Sequence, residues 1–431
     1  MAPLRAPVAV AIAGVVLAAA GCSGDPSSRS PSDPSPSRRA EGPTSPTHTP
    51  APARSATPEP LDEKEQRVLN EMLVEAAWDN DVRRARRLID RGADVNWRDE
   101  SVQSAFLIAT SEGYLDLLEL TLARGADVTL HDSFDGTGLI RAAERGHWDI
   151  VGRLLQTRIA VDHVNNLGWV ALHEAIILGD GSTRYVDTVR ALVAGGASLR
   201  ITPERDGIAP VEHARSRGQA AVVRTLERAL DAPDLDRPER SLLAAARTGD
   251  ADAAAIALRQ GADVDVRDGA GRTPLLIAVT EDRLAVARLL VAMGASPDAL
   301  DDRHDTPWLV TGVTGSVPMA ELLLRFDPDL TIRNRYGGVS IIPAAERGHV
   351  GYVRRMVQTR IDLDHVNDLG WTALLEAIIL GDGSARYVEI VSILLDHGAD
   401  PTLRDGDGVS PLEHARDRGY TAIARMLRRE R

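Results

Sequence analysis

The sequence predicts an all-α fold: a solenoid of about eleven helix-turn-helix units joined by short β-hairpin loops, preceded by an export signal and a disordered linker. Three observations carry this. Asp162–Asp187 (DHVNNLGWVALHEAIILGDGSTRYVD) and Asp364–Glu389 (DHVNDLGWTALLEAIILGDGSARYVE) match at 21 of 26 positions, 202 residues apart. The offset is not constant, however. Gly92-Ala93-Asp94 recurs 169 residues on as Gly261-Ala262-Asp263, whereas Ala142–His147 recurs 202 residues on as Ala344–His349. The difference of 33 residues is one whole repeat unit, Arg303–Arg335, inserted in the second half. Finally, aromatics are only 3% of the chain, so leucine, alanine, valine and isoleucine must supply the packing. That suits small interdigitating helices better than one bulky core.

The unit can be built residue by residue from Gly269–Leu300. Thr273 is a hydroxyl N-cap and Pro274 sits at the first helical position, where no N–H is needed. Leu275, Leu276, Ala278 and Val279 form a short apolar face, and Glu281-Asp282-Arg283 breaks it. Leu284, Val286, Ala287, Leu289, Leu290 and Val291 then recur at helical spacing. Gly294 closes that helix in the left-handed region, and Ala295–Asp301 is a turn. Neither helix is long enough to stand alone in water. Each unit therefore needs a neighbour, and the expectation is one elongated body in which units touch mainly the next in line.

With the unit in hand, the chain resembles an ankyrin-repeat protein. The T-P-L-H-x-A pattern of that family appears, worn, as Thr273–Ala278, Ser410–Ala415, Ala209–Ala214 and Val170–Ala175. The G-A-D turn stands at Gly92, Gly125, Gly261 and Gly398, and becomes G-A-S at Gly196 and Gly294. Eleven units fit between about Val68 and Arg431, five in a first half (61–232) and six in a second (233–431). Phe134–Asn165 and Tyr336–Asn367 depart from the pattern and carry Thr157 and Thr359 where the turn glycine is expected. The two near-identical blocks also hold about five additional residues, Asp180–Arg184 and Asp382–Arg386, which predict a projecting loop in each copy.

Residues 1–21 read as a lipoprotein signal peptide. Arg5 is the basic start, Ala6–Ala20 is an apolar stretch too short to span a bilayer, and Ala19-Ala20-Gly21-Cys22 resembles a bacterial lipobox. Cys22 is the only cysteine of the chain and stands where lipidation requires one. Cleavage after Ala20 to give a secreted protein is the alternative. Residues 22–60 follow as a lipid-anchored linker. Ten of the 38 residues Ser23–Pro60 are proline and 13 more are serine or threonine, a composition that cannot bury a core.

A formal net charge of −13 disfavours a phosphate-binding surface, because arginines alternate with Asp and Glu along the helices. Nucleic acid is therefore not an expected partner. There is no G-x-S-x-G, no P-loop and no C-x-x-C, and no metal or cofactor site is expected. His173-Glu174 lacks the second histidine of a zincin, and Asp405-Gly406-Asp407-Gly408 reads as a hairpin turn. A hydrolase using the duplicated Asp-Gly-Ser loop is the rival reading, with no base evident for Ser182 or Ser384.

Two groups remain as candidate binding residues. Asp180 and Arg184 recur as Asp382 and Arg386 in the doubled loop. The row of hairpin tips, where ankyrin proteins bind, carries Trp97, Phe134 and Tyr336, with Arg333 and Arg335 beside the last, and Trp169 and Trp371 close behind. The sequence thus predicts a non-enzymatic, monomeric protein-binding module held by a lipid anchor on the extracytoplasmic face of the cell membrane. Its partner would be another envelope or secreted protein, and an inhibitory or protective role toward a co-encoded enzyme is the variant of this reading that rests on analogy.

Overall fold

A computed structural model describes residues 62–203 and 207–429; the signal peptide, Cys22 and the linker lie outside the described residues. The first ten helices are α1 (Glu63–Trp78), α2 (Val82–Asp90), α3 (Ala105–Glu112), α4 (Leu115–Ala123), α5 (Gly138–Glu144), α6 (Trp148–Leu155), α7 (Ala171–Ile177), α8 (Thr183–Ala194), α9 (Pro210–Ser216) and α10 (Ala220–Leu230). The remainder are α11 (Pro238–Thr248), α12 (Ala251–Arg259), α13 (Pro274–Thr280), α14 (Leu284–Ala292), α15 (Pro307–Thr314), α16 (Val317–Leu324), α17 (Ile341–Glu346), α18 (Val350–Met356), α19 (Ala373–Ile379), α20 (Ala385–Asp396), α21 (Pro411–Asp417) and α22 (Thr421–Arg429). They pair into the eleven expected units, each an odd-numbered inner helix and an even-numbered outer one. Among the described residues no helix is long and apolar enough to cross a membrane.

Local chemistry sets the boundaries. The Oγ1 of Thr273 accepts the Leu276 N–H at 3.2 Å with Pro274 in the first turn, and Thr306 and Pro307 start α15 the same way. Gly294 has φ +95°, as its C-terminal position requires. Where Thr157 and Thr359 replace that glycine, their hydroxyls accept the N–H of Ile159 and Ile361 at 3.2 Å.

Among the described residues, eight hairpins are each organised by one side chain. Asp99, Asp132, Asn165, Asp268, Asp301, Asn334, Asn367 and Asp405 each accept, through Oδ1, the backbone N–H groups two and four residues on. These eight Asx turns do the work of the expected β-hairpins; among the described residues only an isolated bridge, His131 to Thr137, has strand-type pairing.

The stacking departs from a single rod. Inner helices pack in succession from α1 to α9 and again from α11 to α21, but α9 makes no comparable packing on α11. The linker Asp231–Arg237 turns the chain back, and the outer helices of the two stacks meet: α8 lies on α12 and α14, and α6 lies on α14. The expectation that units touch mainly their sequence neighbours is corrected here.

The reason is written into the outer helices. α2 carries Arg83, Arg86 and Arg87 toward solvent, whereas the equivalent positions of α12 are Asp252, Ala255 and Ile256, all buried. At Gly152 an added Cβ would stand 2.5 Å from the Ala292 carbonyl oxygen, so only glycine permits this crossing of α6 and α14. Gln156 Nε2 donates to the same carbonyl at 2.8 Å.

Charged groups at this junction are paired. Arg190 reaches Asp252 at 2.8 Å and Asp187 at 3.1 Å, and Arg288 reaches Asp187 at 2.7 Å. Asp252 also accepts from Thr225 at 2.8 Å and Arg228 at 3.4 Å. Farther along, Arg325 pairs with buried Asp149 and lies 5.9 Å from the centre of the Trp148 ring.

Removing Asp252 leaves the largely covered Arg190 with Asp187 as its remaining carboxylate, which Arg288 shares. Asp252→Ala is expected to cost roughly 3 kcal/mol, read as a lower urea midpoint. Gly152→Leu is expected to part the stacks and raise the radius of gyration in small-angle X-ray scattering. An unchanged radius together with an unchanged midpoint would count against the back-to-back arrangement.

Candidate functional site

While α6, α8, α12 and α14 cover one another, the inner helices and hairpin tips of both stacks stay open. On the first stack the tip Asp132–Gly136, the tip beginning at Asn165, α5 and α7 enclose a groove of about 170 Å³. Phe134, Leu167 and Leu178 form its exposed apolar rim. Its floor holds Glu174, only 3% exposed. Asn165 Nδ2 donates to Glu174 Oε1 at 2.7 Å, while Oε2 is buried with no hydrogen-bond partner.

The second stack repeats these parts. Tyr336, Leu369 and Leu380 are exposed, and Glu376 is 4% exposed. Asn367 donates to Glu376 Oε1 at 2.9 Å, and Oε2 again lacks a partner. Sequence reasoning passed over both glutamates. The available signal was the pairing of asparagine with a glutamate nine residues on, Asn165 with Glu174 and Asn367 with Glu376, since aspartate has no N–H to donate. At two of the aspartate hairpins the residue nine positions on is cationic or histidine, for Asp132 pairs with Arg141 at 3.2 Å and Asp405 with His414 at 2.6 Å.

The predicted tip residues sort into three groups. Phe134 and Tyr336 rim the open faces. Arg335 lies 4.6 Å from the centre of the Tyr336 ring and pairs with Asp305 at 2.9 Å, beside a shallow trough that Arg303 and Arg347 also line. Arg333 is exposed, whereas Trp97, Trp169 and Trp371 are half-buried, with Trp97 packed against the core.

The doubled loop lies elsewhere. Asp180 and Arg184 are separated from the tips by the length of α7, about 10 Å for seven residues. The projecting loop expected there is instead an Asx turn followed by an additional helical turn, which makes α8 and α20 twelve residues long. Asp180 Oδ1 accepts the Ser182 N–H at 2.9 Å and Asp382 that of Ser384 at 2.9 Å. Arg184 stacks 4.8 Å from the Tyr185 ring centre, and Tyr185 donates its hydroxyl to the Glu144 carbonyl at 3.1 Å. Arg386, Tyr387 and Glu346 repeat this, with Tyr387 at 2.8 Å from the carbonyl. The next unit closes over the turn, for Gln219 donates to the Gly179 carbonyl at 2.9 Å and Tyr420 to that of Gly381 at 2.8 Å. The same Asp-x-Thr turn recurs at Asp127-Thr129, Asp329-Thr331 and Asp400-Thr402. Hydrogen bonding to Ser182 and Ser384 holds Asp180 and Asp382 below the usual carboxylate range, which weakens them as bases.

The one grouping of three metal-type side chains among the described residues is His131, Asp135 and His163 at neighbouring tips. His131 Nδ1 already meets Asp135 at 2.7 Å, and His163 Nε2 donates to the Asp135 carbonyl at 2.7 Å. His365 makes the latter bond to Gly337 at 2.6 Å in the other copy, where Arg333 replaces His131, so this contact serves to join successive hairpins.

Burial pushes Glu174 and Glu376 from the usual 4.5 up to about 7. Nearby Glu144 and Glu346 act in the same sense, and the Asn165 and Asn367 bonds oppose it. The folded chain thus holds these protons more tightly than the unfolded one. The resulting stability is fully present below about pH 4.5 and is lost as the pH rises through about 7. The melting temperature is expected to fall between about pH 5 and pH 8, and the Glu174→Gln/Glu376→Gln double variant is expected to flatten that fall.

Comparison with known proteins agrees with the helix pairing. The family model "Ankyrin repeats (3 copies)" matches residues 106–203, 212–301, 242–334, 308–405 and 344–430. Putative ankyrin repeat protein YahD of Escherichia coli (strain K12) is 37% identical over 186 residues, 43% of this chain and 92% of that protein. The B-cell lymphoma 3 protein homolog of Mus musculus is 28% identical over 201 residues, 45% of this chain but only 44% of its own length. A solved ankyrin repeat domain from Acinetobacter baumannii AYE is 43% identical, covering 44% of this chain and 96% of that one with a TM-score of 0.43. Ankyrin repeats are protein–protein interaction modules, and this chain belongs to the ankyrin-repeat family.

Proposed function

We propose that the chain binds another protein across two outward faces, one on each stack, built from hairpin tips and inner helices. The observation that carries this reading is the set of exposed apolar side chains on those faces, set against the mutual burial of the outer helices α6, α8, α12 and α14. They expose Phe134, Leu167 and Leu178 on one stack and Tyr336, Leu369 and Leu380 on the other. Successive tips are joined by backbone bonds, Asn166 N–H to the Phe134 carbonyl at 3.0 Å and Asp368 N–H to that of Tyr336 at 2.9 Å. A surface ordered in this way binds with little entropy lost. The binding role is non-enzymatic.

The site of action is the extracytoplasmic face of a bacterial membrane. Cys22 would carry the lipid and the Ser/Pro-rich segment 23–60 would hold the repeats off the surface. An acidic, nearly lysine-free body fits a protein partner better than nucleic acid.

Two experiments test this. In affinity capture from envelope extract, wild-type protein is expected to retain a specific protein that the Phe134→Ala/Tyr336→Ala variant releases, each truncation costing roughly 1–2 kcal/mol. Equal retention by both would refute the face assignment. For the anchor, Cys22→Ala is expected to move the protein from the membrane fraction to the soluble one, and unchanged fractionation would remove the lipid from the proposal.

A further inference from the structure

The buried glutamates are not demanded by the fold. Counting nine residues from each hairpin Asx, the same inner-helix position holds Ile108, Ile277, Val310 and Pro343 in other units, all buried and apolar. A glutamate there, with one oxygen satisfied by asparagine and the other left bare, costs stability that an isoleucine would not. That cost appears twice, at Glu174 and Glu376, with the same asparagine bond and the same bare oxygen.

Among the described residues, the cations nearest the bare oxygens are already engaged. Arg141 is held by Asp132 at 3.2 Å and Glu144 at 2.7 Å, and Arg347 by Glu346 at 2.6 Å. The first groove is therefore acidic, with Asp132, Glu144 and Glu174 set against Arg141. Its volume of about 170 Å³ admits one long side chain and is smaller than the roughly 300–1,000 Å³ of drug-sized ligand sites. Apolar rim, acidic floor and single-side-chain volume describe a receptor for a cation on an aliphatic stem.

We propose that each stack receives an arginine or lysine side chain from a bound protein segment, its head group on the bare Oε2 of Glu174 or Glu376 and its stem along Phe134, Leu167 and Leu178 or along Tyr336, Leu369 and Leu380. This deepens the protein-binding reading and rests on it. The two receptors belong to one chain, so a partner with two suitably spaced basic residues gains by avidity. Binding ionises the glutamate. Asp132, Arg141 and Glu144 face Glu174, and Glu346 and Arg347 face Glu376; these are already paired, so the glutamate is the group whose proton is displaced. Affinity therefore rises as the pH passes upward through about 7.

The test uses the folded chain and two peptides, acetyl-Ala-Leu-Arg-Leu-Ala-amide and its citrulline counterpart, which has the same shape without the charge. The arginine peptide is expected to bind at two sites and at least about tenfold tighter than the citrulline one. Its affinity is expected to be higher at pH 8 than at pH 6. Glu174→Gln and Glu376→Gln are each expected to remove one site while leaving the melting temperature at pH 8 unreduced. Equal binding of the two peptides, no binding at about 10 mM, or two sites surviving in the double variant would overturn the assignment. A captured partner that is lost on Phe134→Ala/Tyr336→Ala but held unchanged by the double glutamine variant would overturn it too, while leaving the protein-binding faces in place.

Discussion

The back-to-back burial of α6 and α8 on α12 and α14 governs the rest of the molecule. An ankyrin unit has two sides, and a single rod leaves both wet. Here α6 and α8 spend their outer sides on α12 and α14, so what remains for a partner is decided by packing. The close crossing at Gly152 and Ala292 sets the spacing, and the Asp187–Arg190–Asp252–Arg288 network fixes the register. Buried ion pairs of this type add little net stability but penalise any shift that leaves one charge unmatched. The arrangement is thus specified more by what it forbids than by the affinity of the two surfaces.

Much of the unit was legible because its rules are local. The Thr273-Pro274 start, the apolar face from Leu275 to Val279 and the left-handed Gly294 all follow from hydroxyl capping, periodicity and glycine geometry. The return of the chain after α10 was not read, although the sequence marks it. Pro210–Gly218 (PVEHARSRG) and Pro411–Gly419 (PLEHARDRG) are near copies with a polar outer side, which is what a terminal capping unit needs. Both end a stack, so the first is a cap placed in mid-chain. The second missed sign was α12, where Asp252, Ala255 and Ile256 replace the exposed arginines of α2. Neither is a local signal. Each acquires meaning only when the two halves are compared and the question becomes what covers the difference.

The doubled block, which looked like the place where a function is written, divides once the fold is known. The tyrosines and glycines of LGDGS-x-RYV brace one unit to the next, the aspartates close the local turn, and that Asp-x-Ser turn matches the Asp-x-Thr turn of other units. Those residues were identifiable from sequence but not assignable, because a paired and an unpaired aspartate look alike until the partner is located.

Where the copies differ is as informative as where they agree. Gly152, Asp187 and Arg190 become Arg354, Glu389 and Ser392, and in the second stack Arg354 pairs with Glu389 on an open surface. Divergence has followed the change from covered to exposed. Around the two glutamates the surroundings have also changed, with Asp132 becoming Asn334, Phe134 becoming Tyr336 and Arg141 becoming Pro343. Asn165-Glu174 and Asn367-Glu376 nevertheless keep the same bond and the same bare oxygen. Packing does not account for this, since isoleucine and valine fill the same position elsewhere in the array. A feature that costs stability and survives a change of neighbours has its compensation outside the folded chain, and the chemistry of a half-satisfied carboxylate makes that compensation a cation.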